Sequence, residues 1–294
     1  MKNKYNCSIV KSLVIVAALT GSIAYAGPTE MTTAPIVPAP AEDVVSGVLN
    51  LDFTSHFFSY GNDVWDDGDD AFTPGFYPSA ELSFALPAGF TATLGVWAEL
   101  HDKDRPVPPA TTATLGGDFL EIDTYYGLSY TFFEKLTVGV TYQNWFYGGD
   151  VEDILDIKFS YDTFLSPSLL IHNRLNAGAA GGPTSGDEGT ILVLGLSHSI
   201  EAGPVTVSFP FSLAYFVGDG YHTPTSDSGL GYGSIGVSAS VPLTSLIGEA
   251  YGDWSIHAGL TYYVTDDNTV GSAPSSLNKE DSFLVTNIGL SLAF

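Results

Sequence analysis

Carboxylates, imidazoles and hydroxyls carry whatever chemistry this chain performs, because the single cysteine, Cys7, stands close to the N-terminus. Asp52, Glu81, Glu99, Glu121, Asp123, Asp156 and Asp162 all fall in stretches where apolar and polar residues alternate, and all take the polar positions. Lys158 and Arg174 take the same positions, as do His56, His101, His172 and His257. Counting along neighbouring stretches puts Glu99 and Glu121 at similar heights, with Asp123 and His101 close by. That grouping either attracts cations or forms a hydrogen-bonded wall. Asp156 and Lys158 should face His172 and Arg174, which reads as a salt-bridge cluster more readily than as a substrate clamp.

Other constellations are weaker. Asp63, Asp66, Asp67, Asp69 and Asp70 form the densest acidic run, and closely spaced carboxylate oxygens suit Ca²⁺. The run lacks EF-hand spacing and its closing Glu, so a solvated loop is the preferred reading. Nucleophilic catalysis needs a Ser or Thr beside a His that an Asp or Asn orients. Ser197-His198-Ser199 is the nearest local candidate, but His198 sits on the apolar register. Asp219 and His222 are close in a polar loop and carry no further signature. No histidine spacing suits zinc, and no glycine-rich phosphate loop is present. The chain is therefore read as non-enzymatic, with no cofactor.

The elements that position these residues are strands. Period-2 alternation recurs along the chain, whereas helical periodicity is weak and confined to around Leu243–Ala250. In Ser46–Tyr60 the apolar row is Leu49, Leu51, Phe53 and Phe57. Phe76–Leu86 follows, then a further run after Pro87-Ala88-Gly89. Phe119–Thr131, Leu136–Tyr147, Ile154–Asp162, Leu169–Ala177, Thr190–Ile200, Val205–Phe216, Gly231–Val241, Trp254–Val264 and Phe283–Phe294 complete a set of twelve. Each is long enough to cross a bilayer when tilted. The connections alternate in length, with Gly148–Asp153 and Pro242–Asp253 as exceptions to short turns on one side and long loops on the other. That alternation, with charges kept off the apolar faces, separates a membrane barrel from a soluble β-sandwich or propeller. Aromatics cluster near strand ends as membrane girdles would, including Phe57, Tyr60, Tyr77, Trp145 and Tyr232 toward the long loops.

Charge and composition agree. The chain carries 33 acidic and 9 basic side chains among 294 residues, yet only 14% of its residues are charged. A soluble domain has about a quarter. Such a chain does not bind nucleic acid, which requires clustered Lys and Arg. Residues 1–26 read as a signal peptide, with Lys2, Lys4 and Lys11 before an apolar core and Ala24-Tyr25-Ala26 at the cleavage site. Residues 27–43 form a Pro/Ala-rich leader, and 44–294 read as one domain.

The last strand resembles the C-terminal signal of bacterial outer-membrane proteins, because Phe294 follows Leu292, Leu290 and Ile288 at alternate positions. The layout of Val44–Phe294 resembles small bacterial porins and, more loosely, those of the TorF type. This resemblance implies an all-β fold: a closed antiparallel transmembrane barrel with short periplasmic turns and long extracellular loops. It implies the outer membrane of a Gram-negative cell, contact with lipid and lipopolysaccharide, and recognition of Phe294 by the barrel-assembly machinery. Association into homo-oligomers stays open. In such a barrel Asp52, His56, Glu81, Glu99, His101, Glu121, Asp123, Asp156, Lys158, Asp162, His172 and Arg174 would line the pore. The acid surplus among them would favour cations. The expected function is passive diffusion of small hydrophilic solutes. The alternative is a non-conducting barrel whose extracellular loops bind ligands or partners.

Overall fold

Alternating side chains can bury one face of a strand only if the sheet closes or stacks, and here it closes. The computed structural model describes residues 44–63, 74–100, 119–147, 150–178, 186–248, 252–270 and 281–294. Its elements are β1 (Val45–Thr54), a short hairpin β2 (Phe58–Ser59) and β3 (Asn62–Asp63), β4 (Gly75–Ala85), β5 (Phe90–Leu100) and β6 (Phe119–Phe132). Then come β7 (Leu136–Tyr147), β8 (Asp150–Tyr161), β9 (Ser168–Asn176), β10 (Gly189–Ala202) and β11 (Val205–Phe216). The chain ends with β12 (Gly229–Pro242), the single-turn helix α1 (Thr244–Ile247), β13 (Asp253–Thr265) and β14 (Ser282–Ala293). The strands other than β2 and β3 form a closed barrel of twelve, each antiparallel to its neighbours. β14 returns to β1 in the register Val48↔Ala293 to Thr54↔Asn287. Beyond that register Gly47 and Phe294 exchange both backbone hydrogen bonds, at 2.7 and 3.0 Å. Closure leaves no barrel edge unpaired, which is what hydrocarbon requires of a β-structure.

Turn chemistry sets the short end. Phe133 and Glu134 have φ of 54° and 59° between β6 and β7. Two positive values give the mirror-image turn whose twist matches a hairpin. Ala88 and Gly89, at φ 64° and 82°, reverse the chain between β4 and β5. At the opposite end only Gly148 and Gly149 separate β7 from β8, so the expected Gly148–Asp153 loop is mostly strand.

The outward face is apolar around the circumference: Phe53, Leu82, Leu94, Leu128, Val140, Leu194, Phe209, Ile235, Leu260 and Ile288 are all exposed there. A closed barrel with this exterior is a membrane-spanning barrel of the outer-membrane type. Among the described residues no helix is long and apolar enough to cross a membrane. Asp153 stands on the outward face and accepts hydrogen bonds from Tyr142 (2.7 Å), Asn144 (2.6 Å) and Asn176 (3.1 Å) near the long-loop rim. Those donors replace the water it would lose there.

The aromatic assignment needs correction. β1 stops at Thr54, and Phe57 and Tyr60 turn into the barrel, where both are buried. Tyr77, Trp145 and Tyr232 are also buried on the inward side. A membrane girdle and a packed interior both need large flat side chains near strand ends, so spacing alone does not separate them. Phe90, Phe132, Tyr161, Tyr215 and Tyr262 do face outward and are exposed.

Candidate functional site

Inward side chains fill the long-loop half of the barrel. Every barrel strand contributes at least one buried inward residue, from Thr54 on β1 through Trp97, Gln143, His172 and Ser212 to Val285 on β14. Polar residues nearer the short turns, such as Ser129, Thr131, Thr137, Lys158 and Ser160, stay partly exposed.

Two chain segments enter the filled half. The first is the β2–β3 hairpin. Its two-residue turn, Tyr60-Gly61, has φ of 43° and 95°. A tyrosine in the left-handed region costs roughly 1–2 kcal/mol relative to the usual Asn or Gly. The conformation aims three rings in different directions. Phe57 stacks on Tyr77 and Trp97 at 5.8 and 5.7 Å. Phe58 stacks on Tyr263 at 3.8 Å and meets Tyr232 edge-on. Tyr60 lies on the His172 ring at 4.0 Å.

The second segment is Val217–Ser228, between β11 and β12. Tyr221 faces the His172 ring, its hydroxyl 2.8 Å from Nε2. Arg174 lies over the Tyr221 ring at 3.9 Å and donates to the Tyr221 carbonyl at 2.8 Å. His222 Nε2 donates to the Tyr60 carbonyl at 2.7 Å, which ties the two segments together. Burial, and secondarily the Arg174 charge, push His222 down from 6.5 to about 3.

The wall that receives them is a directed chain of hydrogen bonds. Trp145 Nε1 donates to Gln143, and Gln143 donates to Asp156 at 2.6 Å. Asp156 accepts from His172 Nδ1 at 2.8 Å. A carboxylate can only accept, so Nδ1 carries a proton, and in the neutral ring Nε2 accepts from Tyr221. Beside it Arg174 Nε pairs with Glu152 Oε2 at 3.1 Å.

The sequence-predicted residues divide accordingly. Asp52, Glu81, Glu99, Glu121, Asp123, Asp156, Lys158, His172 and Arg174 are on strand positions that face inward. Glu99 and Glu121 are direct cross-strand partners, both fully enclosed, as is Asp123. The expected four-residue cluster is rearranged. His172 takes Asp156, whereas an irregularity at Asp153/Ile154 shifts Arg174 toward Glu152, which had been read as loop. Asp162 lies beyond β8 in an exposed turn, because β8 ends at Tyr161. His56 sits in the bend after β1, half-buried against Phe283, rather than on a strand. His101 and Asp66, Asp67, Asp69 and Asp70 lie outside the described residues, as does the Asp63 side chain. Among the described residues no group of three or more metal-ligand side chains could hold a metal.

Ser197 and His198 occupy opposite faces of β10. Ser197 is buried inside, and His198 Nδ1 bonds the Phe164 carbonyl outside at 2.9 Å. Asp219 accepts from the Ser228 amide while His222 bonds Tyr60, so neither loop pair is a catalytic couple. Sequence reasoning missed the inserted segments, since nothing in the Phe58 or Tyr221 neighbourhood signals its distant partners.

No protein-family model and no curated protein sequence matches the chain. Solved structures do resemble it in shape. An outer-membrane channel from Pseudomonas putida F1 is 10% identical over 86% of this chain and 97% of its own, with a TM-score of 0.49. The NanC porin is 10% identical over 84% of this chain and 98% of its own, at 0.45. The outer-membrane phospholipase A of Escherichia coli is 12% identical over 84% and 92%, at 0.42. The barrel is read from this chain's own strand pairing, and function must be read from its interior.

Proposed function

We propose that the protein is an outer-membrane channel for small hydrophilic solutes, constricted by its two inserted segments and mildly cation-selective. The observation that carries this reading is the docking of Val217–Ser228 inside the barrel, against β9 and the β2–β3 hairpin. A loop anchored by three polar side chains, His172, Arg174 and His222, can leave and return. An apolar plug would not. Twelve strands also fall between barrels just filled by side chains, at about 8, and open pores, at about 16. Constriction by a segment, with passage when it moves, suits that size. Inward carboxylates outnumber Lys158 and Arg174, and acidic walls favour cations. Asp52 keeps access to lumen water, its side chain 15% exposed.

Planar-bilayer conductance tests the reading. The full chain should conduct in brief events. Replacing Asp219–Asp227 with a short Gly-Ser linker should raise conductance several-fold. A salt gradient should give a cation-signed reversal potential that Asp52→Asn reduces. Silence from both proteins would favour the second reading, a non-conducting barrel whose loops bind ligands. The buried inward residues on all barrel strands are the observation on its side.

A further inference from the structure

Where the barrel closes, three strands bring together residues that lie far apart in sequence. Asp52 on β1 and His257 on β13 both sit opposite Gly289 of β14, on the inward face. A side chain at 289 would fill the space where Asp52 Oδ1 and His257 Nε2 meet. With glycine there, the imidazole crosses β14 and comes within 2.6 Å of the carboxylate. Two positions along the same inward face is Ser291, its Oγ 3.3 Å from His257 Nδ1 and donating to Asn50 Oδ1 at 2.7 Å. Asn50 Nδ2 donates to Ser79 Oγ at 3.2 Å.

Protonation follows from the partners. A carboxylate only accepts hydrogen bonds, so neutral His257 carries its proton on Nε2. The Nδ1 lone pair then faces the Ser291 hydroxyl. Asn oxygen and nitrogen exchange by rotation of the amide, and their placement follows from the network. Turning the Asn50 amide over from this orientation puts its nitrogen toward Ser291; Ser79 then donates to Asn50, Asn50 donates to Ser291, and Ser291 donates to His257. That is a nucleophile, a base and an orienting acid in order, with an amide donor beside the nucleophile.

The same pair of residue types occurs twice in this barrel, and exposure separates the two. His172 and Asp156 are enclosed, at 0% and 3% side-chain exposure, and the free nitrogen meets the Tyr221 hydroxyl. His257 and Asp52 retain 20% and 15%. Ser291 lies near the end of β14, on the short-turn side, and keeps 9% exposure between the buried Asn50 and Ser255.

We propose that Ser291, His257 and Asp52 form an acyl-ester hydrolase site in the lumen, taking small water-soluble carboxylic esters. The side chains face the lumen and not the bilayer, so substrate arrives through water. Ser291 Oγ bonds to the ester carbonyl carbon while its proton passes to His257 Nδ1. The carbonyl π pair moves onto oxygen, beside the Asn50 amide. Collapse breaks the ester C–O bond, and the leaving alkoxide takes the proton from His257. Water then attacks acyl-Ser291, His257 accepts its proton and returns it to Ser291, and the carboxylic acid departs. Ester and water become acid and alcohol. Conduction through the lumen is neither required nor excluded by this chemistry.

The test uses the full chain folded in detergent, with heat-modifiable gel mobility as the measure of folding. Wild type should hydrolyse p-nitrophenyl acetate, and a fluorophosphonate should leave its adduct on the peptide containing Ser291. Ser291→Ala and His257→Gln should lose at least about 100-fold in rate with mobility unchanged. Asp52→Asn should lower the rate and displace the pH profile, and Gly289→Ala should do the same by wedging the pair apart. Equal hydrolysis by wild type and a folded Ser291→Ala variant overturns the proposal, as does an adduct confined to other residues. Where Ser291→Ala fails to fold, the presence or absence of the Ser291 adduct on the wild-type chain decides.

Discussion

Tyr60 and His222 both occupy local states that their residue types disfavour, and each does so because of what it reaches. Tyr60 accepts a left-handed φ of 43° and in return stacks on His172. His222 is half-buried against the Tyr60 carbonyl, with Arg174 and His172 as the charged and titratable groups facing it. Burial and Arg174 push it from 6.5 to about 3. Its folded value lies below the unfolded one, so docking favours the neutral ring. That contribution is fully present above about pH 6.5 and is lost progressively as pH falls toward 3. Asp219 is held below its usual range by the Ser228 hydroxyl and amide, far from the pH at which the His222 change begins. The Asp187 amide, which donates to the Gly220 carbonyl of the same loop, reports docking. Its exchange protection factor should fall between pH 7 and pH 4 in the wild type and change less in His222→Asn. Equal protection at both values in the wild type would remove His222 from control of the loop.

The β7–β8–β9 wall acts as the socket for that loop, and Arg174 is its least replaceable member. It pairs with Glu152 and holds Tyr221 by carbonyl and ring, with side-chain exposures of 11% and 6% for the ion pair. Arg174→Met would strand an enclosed carboxylate, at a cost of about 3–5 kcal/mol. Denaturant unfolding from lipid vesicles should show that loss, and Arg174→Met with Glu152→Gln should recover much of it. A loss below about 1 kcal/mol would show that the pair is effectively solvated. Strands such as β4, β7, β11 and β13 were legible in the sequence because one wet and one dry face impose strict alternation. The inserted hairpin was not. Phe57 keeps the parity of Leu49, Leu51 and Phe53, so the bend at Ser55 is invisible to a rule that counts by two. Glu99 and Glu121 were legible at similar heights because each is counted from a short turn at the same end of the barrel, the one before β5 and the one after β6, and they are cross-strand partners. Ser291, His257 and Asp52 were out of reach, since they meet only through the closing β14–β1 pairing.

Across the whole molecule, the acidic excess and the apolar average occupy different surfaces, and that separation can be measured. Leu260 lies midway along β13, faces outward and is 47% exposed, beside inward Gly259 and Thr261. Leu246 is 80% exposed in α1, at the short-turn rim. In water both exposed leucines would tolerate arginine equally. In a bilayer an arginine at the midplane costs about 2–4 kcal/mol, falling to about 0–1 near the interface. Leu260→Arg should therefore lose about 2–4 kcal/mol in vesicle unfolding experiments, and Leu246→Arg less than about 1. The contrast should shrink when the barrel is moved from vesicles to short-chain detergent, whose thin apolar shell lets a long side chain reach water. Indistinguishable losses in vesicles would mean that the apolar exterior does not face hydrocarbon. The depth dependence, rather than the exposure of either leucine, is what identifies the solvent around this barrel.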